Sequence, residues 1–212
     1  MDRHQATTLH DISLDVRAGE LVGIYGARGS GKTTLLQVAA GRLKPTRGTA
    51  TFAGRSVTRQ HERIALVTLN PPPLADLPIE VHVALPLLGR VGHRRAQRAA
   101  NEALTKVGAA GSGQLCWSDL PASERPLALL AHALVRQPRV LLTDDITRGL
   151  GATDRRHLTT LLRELAEDDE LAVLAAVSDP SALSSAHHVA FLTQGRLIDG
   201  DDPAAHDQQG AS

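Results

Sequence analysis

The octapeptide Gly26-Ala27-Arg28-Gly29-Ser30-Gly31-Lys32-Thr33 fits the pattern G-x-x-x-x-G-K-[ST]. It restricts what the rest of the chain can build, because such a loop works only between a strand that delivers it and a helix that leaves it. Both are present in the sequence. Leu21–Tyr25 is a short apolar run that reads as a strand, and residues 33–40 carry a helical pattern ending near Gly41. A chain of this length matches the pattern by chance roughly 1 % of the time, and the flanking elements lower that further. The glycines let the backbone fold closely around phosphate and aim N–H groups inward. The helix N-terminus adds the positive end of its dipole. In this arrangement Lys32 reaches the β- and γ-phosphates of a nucleotide, and the Thr33 hydroxyl ligates Mg²⁺. The candidate nucleotide-binding residues are Gly26, Ala27, Arg28, Gly29, Ser30, Gly31, Lys32, Thr33 and Thr34.

A second signal is Val140-Leu141-Leu142-Thr143-Asp144-Asp145, an apolar strand ending in two carboxylates. Asp144 is placed to hold Mg²⁺, directly or through water. Strands often end in aspartate, so this signal takes its weight from the phosphate loop. Elsewhere, strand-like runs at 48–52, 64–69, 171–177 and 189–192 alternate with helix-like runs. The helical patterns cover 81–107, 123–135 with Ser123 as N-cap, and 158–165. Pro71-Pro72-Pro73 breaks the chain, 108–113 is a glycine-rich turn, and the tail from Gly200 is polar and expected to be loose. The alternation predicts an α/β fold with a mostly parallel sheet.

Composition narrows the function classes. With 212 residues, 42 % apolar and 22 % charged, the chain is globular and can build one sizeable core. Aromatics are only 2 %, so that core must come from Leu, Val, Ile and Ala. Basic and acidic side chains balance at 23 each. That leaves no electrostatic footprint for nucleic acid or an anionic membrane, and no nucleic-acid partner is expected. The basic stretch at Arg90, Arg94, Arg95 and Arg98 reads as a solvated helix face. A single cysteine, Cys116, allows no internal disulfide framework and suggests a reducing compartment. Neither a secretory signal nor a run long enough to span a membrane is visible, so work at a membrane would require another chain that spans it. His187-His188 could suggest a metal. Sequence neighbours point apart, and no third ligand is suitably spaced, so a surface or packing role is expected. Core packing is likewise the expected role of Tyr25, beside the loop.

Together these residues resemble the ATP-binding cassette (ABC) family, specifically a transporter ATP-binding subunit. The resemblance runs from about Thr8 to Gly200. Leu9-His10-Asp11-Ile12-Ser13-Leu14 through Gly19-Glu20 resembles the family's approach to the phosphate loop, and 41–48 the turn after its first helix. Val83-Ala84-Leu85-Pro86-Leu87-Leu88 is similar to a helical-subdomain segment of small ATPases of lipoprotein-release and macrolide-export type. Residues 138–150 resemble the Walker B strand and the D-loop, and Gly195-Arg196-Leu197 the closing strand. The resemblance implies a P-loop NTPase (RecA-like) core at about 1–70 and 138–200. A small helical subdomain is inserted at about 71–137, and a loose tail follows at 201–212. It implies ATP and Mg²⁺ as cofactors, transmembrane subunits on a separate chain, and a second ATP-binding cassette. It also implies a cytoplasmic location, peripheral at the inner face of the membrane.

Several positions depart from the family pattern. The Q-loop glutamine is Asn70, which keeps the amide on a shorter stem and joins Thr33 and Asp144 as a candidate metal residue. The signature loop, normally close to Leu-Ser-Gly-Gly-Gln, reads Leu120-Pro121-Ala122-Ser123-Glu124. Pro121 offers neither N–H nor hydroxyl, and Ala122 and Ser123 carry Cβ atoms where close backbone approach is needed. The catalytic glutamate is Asp145, the candidate catalytic residue, with its carboxylate drawn back by one bond. The switch histidine is Ser178, too short to reach a γ-phosphate, and the D-loop aspartate is Gly151. The aromatic that stacks on adenine lies upstream of Leu9, where this chain offers His4 or His10. Retained nucleotide binding with weakened hydrolysis is the expectation. A homodimer would have both sites damaged, so a heterodimer with an intact cassette is favoured. The rival expectation is a non-transport, nucleotide-sensing regulatory module of ABC type.

Overall fold

The computed structural model describes residues 9–60, 62–70 and 76–199. In chain order the elements are β1 (Leu21–Tyr25), α1 (Lys32–Ala39), β2 (Thr51–Phe52), β3 (Arg55–Ser56), β4 (Ile64–Thr68), α2 (Ile79–Ala84) and α3 (His93–Lys106). They continue with α4 (Arg125–Leu134), β5 (Val140–Asp144), α5 (Ala152–Asp169), β6 (Ala172–Val177), β7 (His188–Thr193) and β8 (Arg196–Asp199). Among the described residues one sheet runs in the order β4-β5-β6-β1-β7-β8, and β2 pairs separately with β3. The pairs are parallel from β4 to β7, and only β7 and β8 run antiparallel. This is the mostly parallel α/β sheet that the alternation of elements predicts.

The strands read as nearly continuous apolar runs because both faces of the sheet are covered. Side chains alternate across it. Val22, Ile24, Leu142, Leu174 and Ala176 pack on one face against Leu35 and Leu36 of α1. Leu21, Leu141, Val173 and Ala175 turn to the other face, in a cluster that takes in Leu158 and Leu162 of α5. The same cluster reaches Val83 of α2, Ala100 of α3 and Leu130 of α4. In α3 the buried side chains are Ala96, Ala100, Ala103 and Leu104, a helical stripe of mostly small residues. Arg94, Arg95 and Arg98 are exposed, and Arg90 pairs with Glu62 at 2.7 Å. His187 accepts the Leu21 N–H at Nδ1, 2.8 Å away, and its Nε2 lies 3.0 Å from Glu167 Oε1. Tyr25 meets Phe191 edge-on, with ring centroids 5.9 Å apart.

Four local expectations are corrected. The helical pattern at 81–107 is two helices, not one. Pro86 sits in a 3-10 turn, Leu85–Leu87, after α2, and Gly89 (φ +82°) turns the chain before α3. Ser123 is not an N-cap: α4 begins at Arg125 behind Glu124, with Pro126 in its first turn. A proline there loses no hydrogen bond, since first-turn N–H groups have no helical partner. The strand at 48–52 shrinks to β2. Ala53 and Gly54, at φ +49° and +73°, turn it into a two-residue hairpin with β3, the geometry that suits strand twist. The helix at 158–165 is the middle of α5, which starts after Gly151 and stops where Glu170 turns left-handed. The Pro71-Pro72-Pro73 break, the tail from Gly200 and His4 lie outside the described residues.

Leu36 carries α1 onto the sheet and is fully buried. Leu36→Ala is expected to destabilise the fold by about 2–5 kcal/mol, the cost of lost burial plus the cavity left behind. Urea unfolding followed by circular dichroism measures it.

Candidate functional site

Strand register collects the site. Tyr25 pairs with Val177, Asp144 with Ala176, and Thr68 with Asp144. Each of the four parallel strands therefore ends near the same level, and Gly26, Asp145, Ser178 and Asn70 leave the sheet along one carboxyl edge. Open α/β sheets hold their ligands beyond that edge. Three of the departures, Asn70, Asp145 and Ser178, are scattered along the sequence but thus share one sheet edge with the phosphate loop.

The loop is a formed cradle. Gly29 and Gly31 have φ of +84° and +109°, values that side chains resist. A Cβ on Gly26 would come within 2.4 Å of the Leu192 carbonyl oxygen and 2.6 Å of Ser30 Oγ. Ser30 is buried, and its hydroxyl has no hydrogen-bond partner among the described residues. A buried hydroxyl left without one is costly, and here it lies in a loop suited to an oxyanion. Lys32 is also buried, and its Nζ donates to the Gly26 and Ala27 carbonyls. Burial pushes the lysine pKa down, and the charges of Asp145 and Asp144 partly restore it. The Thr33 hydroxyl donates to Asp144 Oδ2 at 2.7 Å, across 111 residues of sequence. Hydroxyl and carboxylate oxygens are hard ligands suited to Mg²⁺, so this donor set fits the cation. Thr34 follows on α1, half-buried, while Ala27, Arg28 and Gly29 are exposed.

The carboxylate after β5 has a partner that its sequence position did not announce. Both oxygens of Asp145 accept from Ser178: Oδ1 takes the backbone N–H at 3.2 Å, and Oδ2 the hydroxyl at 3.0 Å. Next along the chain, Asp179 meets the Ser181 hydroxyl and N–H and the Arg155 guanidinium. Those contacts hold its carboxyl below the usual carboxylate range, with Ser181 the largest influence. Arg155 also donates to the Leu150 carbonyl at 3.0 Å. One guanidinium thus ties the segment after β5 to the turn after β6. Gly151 is the N-cap of α5. The Asn70 amide turns back to Thr68 Oγ1 at 3.1 Å. Pro121 and Ala122 are exposed, while Ser112 donates to the Glu124 carboxylate. The His10 backbone N–H donates to Gly195 O at 2.8 Å, and the Gly195 N–H donates to Ser30 O at 3.0 Å. His10 is thus two backbone bonds from the phosphate loop.

Thr33 meets Asp144, Lys32 lies against the loop carbonyls, and the charges of Asp144 and Asp145 act on Lys32. Asn70 reaches the same edge with its amide engaged elsewhere. The sequence reading missed Arg155 and the Ser178–Asp145 contact. No residue pattern could have announced either, because each joins loops far apart in the chain.

Comparison with known proteins is consistent along nearly the full length. The family described as ABC transporter matches residues 9–148. The lipoprotein-releasing system ATP-binding protein LolD of Chromohalobacter salexigens is 36 % identical over 201 residues, covering 90 % of this chain and 85 % of LolD. The sulfate/thiosulfate import ATP-binding protein CysA of Xanthomonas campestris pv. campestris is also 36 % identical, over 207 residues, but this chain spans only 60 % of its length. Two solved structures share the fold. CbiO1 from Clostridium perfringens, part of the ABC transporter complex cbiONQ, superposes with a TM-score of 0.82 at 23 % identity, covering 90 % of this chain and 80 % of that one. Dimeric MJ0796, a bacterial ABC transporter cassette, gives 0.80 at 23 % identity, covering 91 % and 90 %.

Gly26→Ala is expected to cost about 1–3 kcal/mol through overpacking against a backbone oxygen. Each kcal/mol moves the melting midpoint of a chain this size by about 2–4 °C. Differential scanning calorimetry reads the shift, and an unchanged midpoint would mean that the loop backbone yields.

Proposed function

This chain belongs to the ABC transporter family, and on that footing we propose that it is the ATP-binding subunit of a transporter, with Mg-ATP bound at the phosphate loop. The observation that carries the reading is the loop itself, with the unpartnered Ser30 hydroxyl, the enclosed Lys32 ammonium and the Thr33–Asp144 pair side by side. Loop N–H groups from 26 to 34 cradle the phosphates, and Lys32 exchanges its two carbonyl partners for phosphate oxygens. Thr33 and Asp144 hold Mg²⁺, with Asn70, two residues beyond the Thr68 that pairs with Asp144, as a third, weaker contributor once its amide leaves Thr68. When bound, the cation neutralises charge on the β- and γ-phosphates. The division into a core lobe at about 1–70 and 138–200 and a helical subdomain at about 71–137 belongs to the same proposal.

No helix among the described residues is long and apolar enough to cross a membrane. By analogy with the ATP-binding subunits it resembles, the proposed assembly places membrane subunits on another chain, with this one peripheral at the inner face. A second cassette completes it. The exposed Pro121-Ala122 pair supports a heterodimer, because Pro121 lacks the N–H that would face the partner's nucleotide. Calorimetry tests the binding claim. Lys32→Ala deletes a charge-assisted contact and is expected to weaken Mg-ATP binding at least tenfold. Asp144→Asn is expected to shrink the Mg²⁺-dependent thermal shift given by ATP, following ligand linkage. Equal affinity of Lys32→Ala and wild type would remove the assigned site.

Hydrolysis is proposed to be weak. The purified chain alone should turn over far below the ~10 s⁻¹ median of enzymes, since the altered groups act on one transition state. The variant Asn70→Gln/Pro121→Ser/Ala122→Gly/Ser123→Gly/Asp145→Glu/Ser178→His restores them together and should be markedly faster in steady-state phosphate release. Brisk turnover by the unaltered chain would refute the claim.

A further inference from the structure

We propose that Asp145 and Ser178 form a matched pair, in which Ser178 is the positioning residue that aims the Asp145 carboxylate during ATP hydrolysis. This rests on the reading given above, in which the chain binds Mg-ATP at the phosphate loop and hydrolyses it slowly. It differs from treating the two residues as independent losses: each suits the other, and neither alone is the defect.

Three observations carry it. First, among the described residues Ser178 gives Asp145 two donors, its N–H to Oδ1 at 3.2 Å and its hydroxyl to Oδ2 at 3.0 Å. Two bonds on two oxygens fix the carboxylate plane, which one bond would leave free to turn. Second, the backbone suits the shorter acid. Asp145 sits at φ +52°, its N–H given to Ala176 O at 2.8 Å. Aspartate is among the few side chains that accept this left-handed conformation readily. Third, the serine is itself braced. Asp179, its neighbour, is bound to Arg155, and Arg155 grips the Leu150 carbonyl. The segment after β5 and the turn after β6 are therefore joined twice, once directly and once through Arg155.

The geometry explains why a single change should fail. A glutamate at 145 adds a methylene where Ser178 Oγ already lies 3.0 Å from the carboxylate. A histidine at 178 replaces the hydroxyl that meets Asp145 Oδ2 at 3.0 Å with a bulkier ring. Only the two changes together restore a longer acid beside a longer partner. In the reaction, the water oxygen bonds to the γ-phosphorus as the bond to the β–γ bridging oxygen breaks. ADP leaves with that electron pair, and the water's proton passes to solvent. Asp145 orients the water, and Ser178 orients Asp145. Misaiming such a group by about 1 Å can cost on the order of 10²-fold.

Two measurements test the pair. Thermal unfolding without nucleotide compares wild type, Asp145→Ala, Ser178→Ala and the double variant. If the contact exists, the double variant loses less than the sum of the singles; additive losses overturn the pairing. Should Asp145→Ala not fold, Asp145→Asn takes its place in the cycle. Single-turnover hydrolysis of radiolabelled Mg-ATP, with protein in excess and affinity checked by calorimetry, reads the positioning role. Ser178→Ala is expected to slow the step about tenfold at unchanged affinity, and Ser178→Thr to recover most of that loss. Asp145→Glu alone and Ser178→His alone should each run slower than wild type, and the pair together faster than either. A single conversion that accelerates hydrolysis, or a wild-type rate that Asp145→Asn does not lower, overturns the proposal. Failure of the wild type to bind Mg-ATP would overturn the proposed function instead, and the catalytic role of the pair with it.

Discussion

The alignment of β4, β5, β6 and β1 at their carboxyl ends is the constraint on which the site depends. Parallel strands cannot be joined by tight turns, so each must be reached by a crossover of a dozen residues or more. The payoff is positional: residues far apart in sequence finish side by side. Thr68, Asp144, Ala176 and the strand leading to Gly26 lie in adjoining registers. The 2.7 Å bond from Thr33 to Asp144 is possible only because β6 spaces β5 from β1 by one strand. Any slip of β5 against β6 by one residue would turn Asp144 to the opposite face.

The core that holds this alignment is made of small aliphatic side chains. β6, at the centre, is buried along all its length and contains three alanines. Alanine on the sheet and on α3 lets neighbouring layers approach closely, at the cost of less apolar area per residue than a leucine would bury. With few aromatics, stability is distributed over many modest contacts on both sheet faces.

Beyond the sheet edge, polar contacts take over from packing. The phosphate loop satisfies its lysine with its own carbonyls and leaves one buried hydroxyl without a partner. The two walls next to it are tied to each other by Ser178 on Asp145 and by Arg155 between Leu150 and Asp179. Asp145 and Ser178, which look like separate losses along the chain, are neighbours in space, and their chemistry is best read in combination.

By itself the sequence determined the phosphate loop, the paired carboxylates of Asp144 and Asp145, and the α/β class. Each depends on local order: residue type at fixed spacing, and apolar runs between breakers. It also located the unusual residues Asn70, Pro121, Asp145 and Ser178. It misjudged the ends of elements at Gly89 and Glu124, where one glycine or proline competes with a helical pattern and only packing settles the outcome. The tertiary structure alone decided that Ser178 faces Asp145, that Asn70 turns back on Thr68, and that Arg155 bridges two loops. Those contacts span loops whose approach is set by strand register and crossover packing, and a hydrogen bond formed over such a separation leaves no pattern in the linear chain.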